Sequence, residues 1–113
     1  MTAIKPDATA RIRHLNDILR TTGQGGTAML TSGVNALPPA DRQAVVTAVR
    51  GFADFTPDND PYGEHDCATV QVGEQGIIWK IDYYDVNLEF GSPDPADDTV
   101  TCRVLTIMIP SDL

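Results

Sequence analysis

The sequence predicts an α+β fold, an antiparallel sheet of about four strands with two helices packed on one face. Three observations lead there. Residues 8–20 and 39–52 space their apolar side chains at helical intervals. Cys67–Tyr84 alternates apolar and polar residues around a glycine-bounded turn. Thr101–Ile109 is rich in β-branched residues and follows a turn-forming stretch. No internal repeat or composition break divides the 113 residues, so a single domain is expected, with residues 1–7 as a flexible lead.

The first helix is capped by Asp7 or Thr9 and runs through about Arg20. Ala8, Ile12, Leu15 and Leu19 form its inner face with Ile18 beside them, while Arg11, Arg13, Asn16 and Asp17 take the wet side. Thr21–Gly26 breaks the helix, and Thr27–Thr31 reads as a short strand ended by Ser32-Gly33. Pro38-Pro39 opens the second helix, because proline is tolerated in a first turn. Its apolar stripe is Val45, Ala48, Val49 and Phe52.

In the hairpin, pairing Gly73 with Gly76 sets the register. Val72 then faces Ile77, Val70 faces Trp79, Ala68 faces Ile81 and Asp66 faces Tyr83 on the core side. On the other face Thr69 meets Lys80, Cys67 meets Asp82 and His65 meets Tyr84, which makes His65 and Asp82 diagonal neighbours. Asn87–Phe90 extends this strand or starts another, and Gly91–Asp98 is a loop. The last strand, 101–109, has a competing reading as a helix capped near Asp97.

Eight basic residues stand against sixteen acidic ones, a formal net charge of −8. Such a surface repels phosphate backbones, so direct nucleic-acid binding is not expected; it favours solubility and can steer the chain toward a basic partner, while the commoner reading of an acidic surface is solvation alone. No apolar run approaches the roughly 18 residues needed to span a bilayer, and Met1–Pro6 lacks the features of a secretory signal. A cytoplasmic location follows as an expectation, with Cys67 and Cys102 reduced. Their spacing fits no zinc motif.

The densest reactive chemistry lies in Asp58–Asp66. Asp58, Asp60 and Asp66 are candidate metal ligands, because they fall at positions one, three and nine of a calcium-loop count beginning at Asp58. Position twelve, however, is Thr69, where a bidentate glutamate belongs, and Pro61 interrupts the loop. His65, Asp82 and Tyr84 are catalytic candidates: a carboxylate beside an imidazole can orient a general base. The chain carries no nucleophile elbow, phosphate-binding loop or zinc-protease helix. The aspartates also read as ordinary turn formers. A polar binding patch of Glu64, His65, Asp82, Tyr84 and Asp85 is the alternative to catalysis.

Asp58–Asp66, Trp79–Asp85, Gly91–Pro95 and Arg103–Met108 together resemble the bacterial small-protein family catalogued as domain of unknown function 3768, with the likeness running from about Ile12 onward. Where that family commonly continues its His-Asp pair with Phe-Gly, this chain has Cys67-Ala68. The resemblance brings no catalytic residues. Its members' company on plasmids and integrated mobile elements implies plasmid maintenance, conjugation or interference with host defence. The leading expectation is a protein-binding accessory or inhibitor module without a cofactor, with a small metal-assisted or general-base hydrolase as the alternative. A homodimer through the last strand or the open hairpin edge is a further expectation.

Overall fold

The computed structural model describes residues 8–113, so Asp7 as a cap and the lead over residues 1–7 lie outside the described residues. Helix α1 spans Ala8–Thr22, which puts Thr9 within its first turn instead of at its cap. Strand β1 is Thr27–Leu30. A four-residue helix α2, Ser32–Asn35, follows where only a strand ending was expected. It buries Val34 completely. A Cβ at Gly33 would lie 2.5 Å from Asp112 Oδ2 and 2.6 Å from Ile109 Cδ1, so a larger residue in this turn would have to push those side chains aside. Helix α3 spans Pro39–Arg50 and buries Val45 and Val49, with Pro39 at its start as the sequence suggests.

Strands β2 (Cys67–Val72), β3 (Gln75–Tyr84) and β4 (Cys102–Met108) complete a four-stranded sheet of order β1-β4-β3-β2. Residues 102–108 are therefore strand, not helix. The sheet is mixed, which corrects the antiparallel expectation: β1 runs parallel to β4, with Thr27 opposite Val104 and Leu30 opposite Ile107. No hairpin joins β1 to a neighbour, so nothing local sets its direction; it occupies the edge of β4 that the antiparallel β3 leaves free. Asn87–Phe90 is neither strand nor extension but part of a turn that folds back to an isolated bridge between Tyr84 and Gly91.

The hairpin register is two residues from the expected one. Val72 pairs with Gln75, Val70 with Ile77, Ala68 with Trp79 and Cys67 with Lys80. The turn is the two-residue Gly73-Glu74, with Gly73 at φ +60° in the first central position, where a tight hairpin turn needs a positive φ. Gly76 belongs to the strand. A shift of two keeps every side chain on its face, so Ala68, Ile77, Trp79 and Ile81 are buried as expected.

Those four join Leu19 of α1, Val34 of α2, Val45 and Val49 of α3, and Leu105 and Ile107 of β4 in one core cluster. Trp79, 0% exposed, is its largest member. Each fully buried aliphatic or aromatic side chain contributes about 1.5–3 kcal/mol. No helix among the described residues is long and apolar enough to cross a membrane.

Candidate functional site

Helix α1 turns polar side chains inward. Leu19 reaches the core as its spacing predicts, but Asn16 and Arg20 are also buried, at 0% and 4% exposure. Asn16, expected on the wet side, sits at the middle of a hydrogen-bond chain. Arg103 of β4, itself buried, donates from Nε to Asn16 Oδ1 at 2.8 Å. Asn16 Nδ2 donates to the Tyr83 hydroxyl at 2.8 Å and to the Glu64 carbonyl oxygen at 3.0 Å. The Tyr83 hydroxyl donates onward to Glu64 Oε1 at 2.7 Å. The donors all run one way, from guanidinium to carboxylate, so each bond polarises the next. Burial, then the Glu64 carboxylate, push the Tyr83 phenol far above its ordinary pKa, which keeps it a donor. Burial pulls the Arg103 guanidinium down while the neighbouring Tyr83 and Asp98 oppose that. Arg103 also donates to the Pro95 carbonyl oxygen, and its guanidinium lies 5.2 Å over the Tyr83 ring.

One turn along α1, Arg20 closes the end of α3. Its Nη1 donates to the carbonyl oxygens of Val49, Arg50 and Phe52 at 3.1, 3.2 and 2.9 Å. These carbonyls lie at and just past the end of α3, where a cation suits the helix dipole. Arg20 Nη2 donates to Asp17 Oδ1 at 3.1 Å, and the same oxygen lies 2.8 Å from His65 Nδ1. Asp60 Oδ2 is 3.6 Å from His65 Nε2, within ion-pair range. The His65 ring stacks on Phe55 at 3.7 Å between centroids and 5° between planes. Its backbone takes φ +54°, a conformation unusual for a side chain of this size. The Asp60 carboxylate holds it there by accepting the His65 N–H at 3.1 Å.

The expected cluster of His65, Asp82 and Tyr84 is therefore not brought together. His65 precedes β2, and its left-handed backbone carries the ring to Asp17 and Phe55, where the sequence reading continued the strand through it. Asp82 instead pairs with Lys80 at 2.7 Å, which raises the Lys80 pKa. Tyr84 ends β3 opposite Cys102. Asp85 accepts the N–H groups of Asn87 and Glu89 and so shapes the turn after β3. Glu64 belongs to the Tyr83 chain. Asp58 is exposed in a turn, and Asp60 is buried against His65. The Asp66 carbonyl oxygen accepts the Ile81 N–H at 2.7 Å. Burial raises the Asp66 carboxyl, with Glu64, Asp60 and Asp82 adding to the rise. The Cys67 thiol is raised by burial and by Asp66, which disfavours the nucleophilic thiolate. Among the described residues, no group of three or more His, Cys, Asp or Glu side chains is placed to hold a metal ion.

A second feature lies on the sheet. Strand residues that alternate with the core set, Met29, Lys80, Asp82, Tyr84, Val104 and Thr106, line a shallow concavity of about 820 Å³, reached also by Leu88 and Leu113. Met29 is 52% exposed and Leu88 59%. Leu88 stands at φ +58° in the turn that Asp85 holds. A bulky residue at positive φ is a backbone outlier, and such strain gathers where side chains are presented for use.

Together these features define a small α+β protein, a mixed four-stranded sheet braced to its first helix by a buried polar chain and carrying a shallow, largely apolar concavity. The chain belongs to the family described as "Protein of unknown function (DUF3768)", whose model matches residues 30–112. Arg103, Tyr83, Glu64 and His65 fall inside that match, and their α1 partners Asn16, Asp17 and Arg20 precede it. The match begins at Leu30, well after the Ile12 that the resemblance suggested. No curated protein and no solved structure matches the chain.

Proposed function

We propose that this is a small acidic cytoplasmic protein-binding module, accessory or inhibitory in character, which seats an apolar, lysine- and arginine-fringed segment of another protein on its sheet. In this reading α1 and α3 cover one face of the sheet and leave the other for the partner. The observation that carries the proposal is the concavity through Met29, Val104 and Leu88, since exposed contiguous apolar surface marks interaction sites on soluble proteins.

Charge selects the occupant. From Ile81 to Cys102 the chain carries Asp82, Asp85, Glu89, Asp94, Asp97 and Asp98 and not one lysine, arginine or histidine. That segment contributes Asp82, Tyr84, Leu88, Thr101 and Cys102 to the concavity, where Lys80 pairs with Asp82. The acidic run therefore steers an approaching basic segment toward this part of the chain before the apolar residues meet. The same charge opposes nucleic acid. The company of mobile elements that the family keeps supports an accessory, inhibitor or anti-defence role. The proposal places no chemistry on His65, whose two ring nitrogens already face Asp17 and Asp60.

A photo-crosslinking amino acid at position 104, with a second protein carrying it at the exposed position 11 of α1, tests this in native cells. The expected result is one dominant adduct from position 104, joined to a partner peptide that mixes apolar and basic residues. Adducts from position 11 alone, or an acidic partner peptide at 104, would contradict it.

A further inference from the structure

We infer that the outer edge of β2 is a self-association surface, on which a second copy of this chain adds its own β2 antiparallel. The argument begins with the hydrogen-bond alternation of the hairpin. Ile81 donates its N–H to the Asp66 carbonyl oxygen, and antiparallel ladders alternate bonded and non-bonded pairs. The pairs Ala68–Trp79, Val70–Ile77 and Val72–Gln75 are then the ones that exchange bonds with β3. Cys67, Thr69 and Gln71 point their N–H and C=O groups away from the sheet. All three residues are exposed, and among the described residues none of their outward backbone groups has a hydrogen-bond partner.

Edges of this kind are normally blunted by charge, proline, a bulge or shortness. The opposite edge, β1, is only four residues long. Strand β2 has six residues, Cys67-Ala68-Thr69-Val70-Gln71-Val72, with no charge and no proline. A strand left this open is matched to another strand.

The occupant follows from charge and symmetry. A basic partner strand would not require an uncharged edge in a chain of net charge −8; a second, equally acidic copy does. The segment is also its own complement. With Thr69 on the two-fold axis, Cys67 stands opposite Gln71 of the second copy and Ala68 opposite Val70, so the contact is isologous. The three outward residues of each copy supply about six N–H···O bonds in all. Side chains keep their faces across such a join, so the product is one continuous sheet with both concavities on the same side. It would present two docking surfaces to a partner.

Sedimentation equilibrium of the full chain under reducing conditions, from low-micromolar to submillimolar concentration, tests the inference. The wild type should dimerise with concentration, more tightly as salt screens the repulsion between acidic copies. Thr69→Pro removes an outward N–H that the β2–β3 ladder does not use, and should weaken the dimer by about tenfold or more. Thr69→Lys sets two ammonium groups across the axis and should do the same. Val104→Lys, in the concavity, should leave it unchanged. A wild type that stays monomeric throughout overturns the inference. So does a dimer that survives both Thr69 substitutions, or one that Val104→Lys dissolves. If circular dichroism shows Thr69→Pro unfolded, Thr69→Lys decides.

Discussion

Replacing Asn16 by alanine tests how much of the fold rests on the polar chain between α1 and the sheet. The change removes an acceptor from Arg103 Nε and a donor from both the Glu64 carbonyl and the Tyr83 hydroxyl. A buried group left without its partner costs about 1–3 kcal/mol, with charged groups at the upper end. The Arg103 end takes the larger share, because the guanidinium remains buried. Tyr83 keeps its bond to Glu64 and counts for little. The expected loss is about 3–5 kcal/mol, a large part of the 5–15 kcal/mol that holds a typical domain. For a chain of this size that lowers Tm by about 10–20 °C. Trp79 is the only tryptophan and is fully buried, so urea unfolding followed by its fluorescence reads the transition directly. Thr21→Ala, which removes an exposed bond to the Asp17 carbonyl, serves as the reference and should cost under about 0.5 kcal/mol. A loss below about 1 kcal/mol for Asn16→Ala would refute the reasoning.

Two further substitutions separate scaffold from surface. His65→Ala deletes the stack on Phe55 and the contacts to Asp17 and Asp60, and should lower stability by about 1–3 kcal/mol without weakening partner capture. Lost capture in a variant that remains folded would return His65 to the binding site. Asp66→Asn addresses pH. The folded protein holds the Asp66 proton where the unfolded chain, near the ordinary value of 3.8, has released it. Stability contributed by this group therefore falls as pH rises from that value through the raised folded one, and stays lost at neutral pH. Asparagine removes the penalty, so the variant should melt higher than wild type at neutral pH and equally at strongly acidic pH. Parallel melting curves at every pH would disprove the assignment.

Much of the sheet was legible because alternation is a local signal. Val70 and Ala68 against Ile77, Trp79 and Ile81 sort to one face whichever glycine makes the turn, which is why a register error of two left the core intact. The error itself came from two glycines competing for one turn. The parallel pairing of β1 with β4 was not legible, since it joins residues about 77 apart with no connecting motif. Asn16 was misread for a different reason. A polar residue on an amphipathic helix is assigned to water unless an inward partner is known. That partner is Arg103, and its position was visible: Arg103, Leu105 and Ile107 alternate on the core side of β4. A guanidinium placed there requires buried acceptors, and α1 supplies one in Asn16. His65 was placed by extending β2 two residues too far, because no sequence pattern announces a positive φ at a histidine. With its neighbours resolved, most of the Asp58–Asp66 cluster serves the loop and α1 contacts, while Met29, Leu88 and Leu113 are exposed around the concavity on the sheet.

The central claim is that partner binding belongs to the concavity on the sheet and not to the histidine cluster. The measurement that tests it most directly is the Kd of the crosslinked partner for three purified proteins, determined by isothermal titration calorimetry. These are the wild type, a Met29→Ser/Val104→Ser double variant and His65→Ala. The double variant should bind at least about tenfold more weakly, since it loses two apolar contacts, while His65→Ala should match the wild type. Unchanged affinity in the double variant together with lost affinity in His65→Ala would contradict the claim.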